Sequence, residues 1–552
     1  MKWTLSPSFL SLLCALGVLC GECPAEPPAP ATATPPARPG IDNPKFPTRE
    51  ISEEEAAKER ARLEQAVLAA FERDDFAAAE AGLRELIPLD HDNFVPWYNL
   101  ACALSMQGKT DEALEMLRQA IARGFADLRE MQRDPHLAGI RATDEYKAIV
   151  AAWSGVLEKR TQRTIDAAAK KFRVGEPGSP YVLEKDEGLR LVYISAFDRV
   201  LFEEARADAV KLERWWRVVA GGTGHTNPPS PGAGEEREHG SQGQIPASRA
   251  APPTLTPWVL VILPTRADFI KWAIERHGDR FDRVGGEYNH SSKMLVSMDL
   301  GSSWRHEFWH ILHWRDMDAR GQRHPMWVME GLCSLVEDCD TGPGGEMIAR
   351  PSWRTNMILR LGKSGRLIPW EVMFSSKQRG FMNERPLAYY GQARAMFLFL
   401  AEQGKLAEWY SAYTAGWKEE PTGKGAFEAV LGKPIKQIER DFRVWVNRLP
   451  EVADEVGRGP ANLPVDVGIG GGDGPVVRID AMADFLQPGG KAPSTGGLRN
   501  NDVITAIDGK PVRDLNDLAR VLGGYEAGAM VSVSYIRGKA HGETTVRLVP
   551  PR

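Results

Sequence analysis

His306 and His310 stand four residues apart, with Glu307 directly after the first of them, in the segment His306-Glu307-Phe308-Trp309-His310. On a helix this spacing puts both imidazoles on one face, one turn apart, where they can grip a single ion. Glu307 can then reach a metal-bound water without ligating the metal itself. Zinc lowers the pKa of such a water towards about 7, and a carboxylate beside it can take the proton during attack on a carbonyl. The pattern therefore points to metal-assisted hydrolysis, with Glu307 first as base and later as proton donor to the leaving amine. A helix that merely carries two histidines would have the same letters, so the surroundings must decide.

A catalytic zinc site needs a third protein ligand and an open fourth position. Downstream runs Pro325-Met326-Trp327-Val328-Met329-Glu330-Gly331-Leu332, continuing Cys333-Ser334-Leu335-Val336-Glu337. This resembles the second metal helix of the gluzincins, peptidase MA-like zinc metallopeptidases, whose pattern is an aromatic, then Glu-Gly, a small residue and a later acid. The resemblance implies that Glu330, twenty residues after His310, is the third ligand, and that one zinc ion per chain serves peptide-bond hydrolysis. Glu337, seven residues further on, would share a helix face with Glu330 and either supports a ligand from behind or is plainly solvated. Asp316 is a rival ligand, because metzincin-like enzymes place one there after a glycine at the position of His313. That glycine breaks the helix, and His313 does not supply the break. Glu330 is thus the expected ligand, and His313 a structural or rim histidine.

The oxyanion of the tetrahedral intermediate needs a donor besides the metal. Gluzincin aminopeptidases use a Tyr in a Tyr-x-x-Gly-Ala helix start. Leu387-Ala388-Tyr389-Tyr390-Gly391-Gln392-Ala393 lies in the corresponding region. Tyr389 aligns with that Tyr, Gln392 replaces the Gly, and Tyr390 is the alternate; packing of both aromatics at a helix start is the competing reading. The strand expected from Lys293 to Met298 precedes the metal helix, and gluzincins hold the substrate backbone by adding it to such an edge strand. Arg394 to Gly404, Phe427 to Gly432 and Ile438 to Phe442 resemble the C-terminal helices of the group.

The elements that must position these residues follow from the rest of the chain. Strands are expected at Leu189–Ile194 and Trp258–Leu263, helices at Val200–Val219 and Arg266–Arg276, and mostly helix after the metal motif. That order indicates an α+β zincin-like metallopeptidase domain over residues 180–450. Residues 221–253 interrupt it with a Gly-, Pro- and Ser-rich insertion, expected to be disordered.

Residues 51–155 are expected to be all-α. At an offset of 34, Leu63 matches Trp97, Ala66 matches Leu100, Ala79 matches Ala113 and Leu83 matches Leu117. Period and small-residue positions resemble tetratricopeptide repeats, helix pairs that stack to bury their apolar faces. Asp134-Pro135-His136-Leu137 and the helix after it would cap them. The module implies either a peptide-binding groove or a spacer.

The C-terminal segment, residues 463–550, is small and mostly β. Gly497-Leu498-Arg499-Asn500-Asn501-Asp502-Val503-Ile504, then Ile507-Asp508-Gly509-Lys510, resembles the PDZ domain. So do the helix beginning near Asp514 and the strand Val531–Ile536. Such a groove binds a peptide as an added strand. The resemblance implies Gly468, Ile469 and Gly470 as the loop that takes its carboxylate.

The first 23 residues read as an export signal. Lys2 supplies charge, and Phe9 to Cys20 is apolar but too short to span a bilayer. A Pro/Ala-rich tether occupies 24–50. Cys20 and Cys23 invite a lipid anchor, but Leu19 and Glu22 stand where a small residue belongs. The expected location is periplasmic or extracellular, without a spanning segment. Of six cysteines, Cys102, Cys333 and Cys339 lie beyond the signal region, so no disulfide scaffold is implied. Cys333 and Cys339 either pair or remain buried thiols. A net charge of -5 does not point to nucleic acid.

The sequence thus predicts a multidomain secreted zinc peptidase whose repeats and PDZ domain recruit a peptide or protein substrate. The alternative is a catalytically inactive peptide-binding scaffold on the same core, against which the intact Glu307 argues.

Overall fold

A computed structural model describes residues 52–551 apart from 198, 222–256, 264–265, 278–285, 290–291, 343–344, 378–379, 382–384, 470–476, 482–494 and 539. The expected export signal, the tether, nearly all of the insertion and Gly470 lie outside the described residues. The chain forms two compact units, one reaching Arg163 and one beginning at Thr164. No helix among the described residues is long and apolar enough to cross a membrane.

In the first unit, α1 (Glu53–Glu72), α2 (Phe76–Leu86), α3 (Phe94–Met106) and α4 (Thr110–Ala122) pack in succession. Three of the four starts are capped by side chains: Ser52 and Glu55 make a reciprocal box, Asp75 accepts from Ala78 N, and Asn93 accepts from Val95 N. Leu63, Trp97, Ala79, Ala113, Leu83 and Leu117 all enter one core. Ala66 does not follow the 34-residue match: it is exposed, and Val67 takes the buried place. Against Val67 lies Gly82, where a Cβ would come within 2.9 Å of Val67 Cγ2. The glycine lets α1 and α2 close. Beyond α4, buried Asp134 accepts from the Tyr98 hydroxyl at 3.1 Å and from His136 N at 2.9 Å, which satisfies the polar groups of the expected cap.

The second unit opens with a five-stranded sheet in the order β1-β2-β3-β5-β4. Its strands are β1 (Val182–Asp186), β2 (Leu191–Ser195), β3 (Trp258–Ile262), β4 (Gly286–Asn289) and β5 (Met294–Ser297). The three inner strands run parallel and the two edge strands antiparallel to them. β2 and β3 are buried along their whole length, as continuous apolar runs in a doubly covered sheet should be. Alternate residues go to opposite layers: Leu191, Tyr193, Trp258 and Leu260 to one core, Val192, Ile194, Val259 and Val261 to the other. α5 (Arg199–Val219) connects β2 to β3.

Here the expected edge strand needs correction. Lys293 to Met298 contains β5, which lies between β3 and β4; β4 is the edge. Leu295 and Val296 are buried on opposite faces and require neighbours, whereas the Gly-Glu-Tyr-Asn of β4 tolerates a free side.

From β5 the chain enters α6 (Ser302–Arg320) and α7 (Met326–Leu335); α8 (Trp353–Lys363) and α9 (Pro386–Glu402) follow the hairpin of β6 (Cys339–Thr341) and β7 (Met347–Ala349). α6 runs unbroken through His313 and stops at Gly321, which is left-handed with φ 64°. Cys333 and Cys339 remain free and buried.

α7 crosses α9 at Gly331. A Cβ there would lie 2.8 Å from Phe397 Cδ2 and 2.9 Å from the carbonyl carbon of Ala393. The glycine after Glu330 is therefore a packing requirement as well as a motif letter. Gly331→Ala is expected to lower the unfolding free energy by about 1–3 kcal/mol through overpacking, seen as a lower urea midpoint at constant m. An unchanged midpoint would mean that the helices part without cost.

The C-terminal sheet has the order β13-β12-β10-β9-β8, with β11 beside β10. It comprises β8 (Asp466–Ile469), β9 (Val477–Ala481), β10 (Val503–Ile507), β11 (Lys510–Pro511), β12 (Met530–Arg537) and β13 (Ala540–Arg547). α10 (Leu515–Leu522) is capped by Asp514, which accepts from Asp517 N. Gly468 and Ile469, expected in a loop, end the edge strand β8, opposite Arg478 and Val477. The backbone of this stretch pairs with β9 on one side and forms the edge of the sheet.

Candidate metal centre

The first turn of α6 is held from two sides. Gly301 offers no capping side chain. Instead Asp299 Oδ1 accepts from Gly301 N at 2.9 Å and from Trp304 N at 3.2 Å. Asp514, from the C-terminal sheet domain, accepts from both Ser302 N and Ser302 Oγ at 2.7 Å. These carboxylates satisfy N–H groups that a helix start leaves open. Trp304, Phe308 and Ile311 are buried in the main core, which fixes the rotation of α6 and brings His306 and His310 round towards α7.

There the two imidazoles meet Glu330. His306 Nε2 lies 3.1 Å from His310 Nε2 and 3.3 Å from Glu330 Oε2, and His310 Nε2 lies 3.5 Å from the same oxygen. Ligands about 2.0–2.1 Å from a tetrahedral ion would be separated by about 3.4 Å. The three atoms thus already stand at the corners of such a site. Among the described residues they form the group able to hold a metal ion, and all three side chains are buried.

The electrostatics favour a cation at that point. Burial opposes an imidazolium at His306, but hydrogen bonds to Glu330 and Glu337 outweigh it and push the group up to about 10. Burial likewise opposes the charge on Glu330, yet the two histidines hold its carboxyl far below the ordinary range. Behind the ligands, Glu337 Oε1 is 2.9 Å from His306 Nδ1. Arg354 grips Glu337 with a fork, Nε to Oε2 at 2.7 Å and Nη2 to Oε1 at 2.9 Å. A proton on Nδ1 directed at Glu337 leaves Nε2 free to ligate.

Glu337 is therefore hydrogen-bonded to His306 and is not simply solvated. It reaches the imidazole from the turn after α7, whose last helical residue is Leu335, not from the helix face expected. Glu337→Gln should weaken zinc binding about 10- to 100-fold, measured by competition with a chromophoric chelator. Unchanged affinity would show that His306 is oriented by packing alone.

Glu307 is partly buried beside β4. Its surroundings push its carboxyl up, through burial first, while His306 and His310 oppose the rise. A Cβ at Gly286 would lie 2.5 Å from Glu307 Cγ, so β4 can pass this close only with glycine at that position. Two residues on, Tyr288 stacks on His310, with ring centroids 4.8 Å apart. Nothing in the short polar stretch around β4 marked Tyr288 in the sequence.

The structure separates the two tyrosines of α9. Tyr390 is hydrogen-bonded to Glu330 and lies under the field of Glu330 and Glu307; burial and those charges push its hydroxyl well above the usual range. The Phe381 ring centroid lies 5.2 Å from that of either tyrosine, but Tyr389 is buried in the main core whereas Tyr390 is only partly buried against it. Of the two candidates, Tyr390 is the one that interacts with Glu330. Gln392, which stands at the family's glycine, is buried and clamps Ile368, accepting from its N at 2.8 Å and donating to its O at 2.6 Å.

The rival ligand is elsewhere. Asp316 Oδ2 accepts from Arg320 Nε and the Tyr410 hydroxyl, both at 2.7 Å. His313 is fully buried, 2.7 Å from His324 Nδ1 through its Nε2, and burial holds it well below the usual range. It is a structural histidine.

Comparison with protein-family models finds a PDZ domain at residues 487–548 and a tetratricopeptide repeat at residues 83–115. Both are protein-interaction modules. Comparison with curated proteins gives no match. Among solved structures, the chain is similar to an aminopeptidase N family protein from Idiomarina loihiensis, at 10% identity over 67% of each chain and a TM-score of 0.26.

Proposed function

We propose that the second unit is a zinc peptidase of the gluzincin type, exported to the periplasm or beyond, with PDZ and repeat modules that engage peptide or protein substrates. One observation carries the reading: His306, His310 and Glu330 converge at separations of 3.1–3.5 Å, with Glu307 adjoining the first ligand. The donor set of two imidazoles and a carboxylate suits zinc. When bound, the ion would polarise the scissile carbonyl and acidify the attacking water. Glu307 takes the proton of that water and returns it to the departing amine. Its raised affinity for a proton fits both halves of that task. Tyr390 donates its hydroxyl hydrogen to the oxyanion. Tyr288 holds the ring of His310 by stacking, and the outer edge of β4 is placed to take a substrate backbone as an added strand. Lys2 and the apolar run from Phe9 to Cys20 support export.

The test is metal analysis of the purified chain together with digestion of a peptide library, with and without a zinc chelator. Stoichiometric zinc and chelator-sensitive cleavage support the proposal. Stoichiometric zinc without cleavage of any peptide would instead leave a binding scaffold.

A further inference from the structure

A buried charge network joins the PDZ domain to the metal helix, and peptide recruitment alone has no need of it. Arg305, immediately before the first ligand, is only 6% exposed, Asp514 8% and Asp517 1%. Arg305 donates to both oxygens of Asp517, from Nη2 at 2.9 Å and from Nη1 at 3.2 Å. The same guanidinium donates to the Glu337 carbonyl from Nη2 at 2.6 Å and to the Val336 carbonyl from Nε at 3.2 Å. Glu337 is the residue whose carboxylate stands behind His306. Asp514, the cap of α10, meanwhile holds Ser302 in the first turn of α6. α10 thus fixes both the start of the helix that carries two ligands and the turn that carries their support. Arginine's planar fork gives this arrangement one geometry, which a flexible ammonium would not.

We infer that Arg305 and Asp517 are positioning residues of the metal centre. Through Arg305, the PDZ helix sets Glu337 against His306, so the PDZ domain is a fixed part of the catalytic unit and not only a tethered recruiter. The inference rests on the metal-centre reading above and goes beyond it by assigning the site residues outside the peptidase segment.

The experiment compares the full chain with Asp517→Asn, Arg305→Lys and, as control, Asp340→Asn. Asp340 pairs with Arg520 of α10 across the same interface but is not a partner of Arg305. Zinc affinity is measured by chelator competition, ligand geometry by the visible spectrum of the cobalt(II)-loaded protein, and kcat and KM on a cleaved peptide. Asp517→Asn and Arg305→Lys are expected to bind zinc about 10- to 100-fold more weakly, with shifted cobalt bands and a lower kcat at little-changed KM. Asp340→Asn should match the parent. If Asp517→Asn loses its fold, Arg305→Lys decides, since it keeps a positive charge facing Asp517 while losing the fork to the two carbonyls. Parental affinity and spectrum in Arg305→Lys, or an equal loss in Asp340→Asn, overturns the inference while leaving the metal centre standing. Failure of the parent chain to bind zinc or cobalt overturns the premise and the inference together.

Discussion

Glu307→Gln is expected to retain one zinc ion per chain and to lose between about 10²- and 10⁴-fold in kcat, the contribution of a positioned general base. The substitution is nearly isosteric, so the close passage of β4 at Gly286 is preserved. It leaves the ligand set untouched. What it removes is the carboxylate that directly follows the first ligand and is proposed to accept the proton of the water. The pH profile provides the second readout. Burial raises the Glu307 carboxyl from its ordinary value. The basic form is therefore lost as pH falls through that raised value, and the parent should show an acid limb in kcat/KM that starts above the pH at which an exposed glutamate titrates. In the variant that limb should vanish. Full activity in Glu307→Gln, or an acid limb that survives it, would assign the base elsewhere.

The parts of this site that were legible in the sequence are those set by local geometry. Four residues on a helix are one turn, so His306 and His310 had to share a face. Glu330 was legible through the likeness of its Glu-Gly stretch to the second metal helix of the gluzincins, and the short turn between α6 and α7 brings it back to the histidines. The chain order of strands and helices was legible because β2 and β3 are unbroken apolar runs. β4 was not, since four residues with one aromatic among polar neighbours give no period to read. Its pairing with β5 reassigns the sheet edge. The support behind the ligands was less legible still. Arg354 lies 17 residues from Glu337, and Asp517 lies 212 residues from Arg305. No spacing rule reaches across such separations, and a buried ion pair at that distance emerges only when the fold brings its halves together. In the PDZ segment, likeness to a family identified the domain, while Gly468 and Ile469, expected in a loop, end the strand β8.

The tyrosine pair shows how narrow such a margin can be, and it leads to the second large effect. Adjacent residues on a helix point about 100° apart, so Tyr389 and Tyr390 cannot both face Glu330. Alignment to the family pattern favours the first, whereas the second is the one that interacts with Glu330. With Tyr389 buried in the main core and Gly391 against Met357 and Ile358, the rotation of α9 leaves Tyr390 beside Glu330. Tyr390→Phe removes one hydroxyl and no packing volume. It should lower kcat by about 10²- to 10³-fold, the cost of losing one oxyanion donor, while changing KM little. Because burial and the nearby carboxylates raise the Tyr390 hydroxyl, it keeps its proton through neutral and moderately alkaline pH. The parent should accordingly show no loss of kcat near pH 10, where an ordinary tyrosine would ionise. Tyr389→Phe, by contrast, should leave kcat within about threefold of the parent, since its ring is buried in the main core and packs there without its hydroxyl. A large loss in Tyr389→Phe with none in Tyr390→Phe would mean that α9 rotates by nearly a third of a turn when substrate binds. Equal and small losses would leave oxyanion stabilisation to groups other than these two.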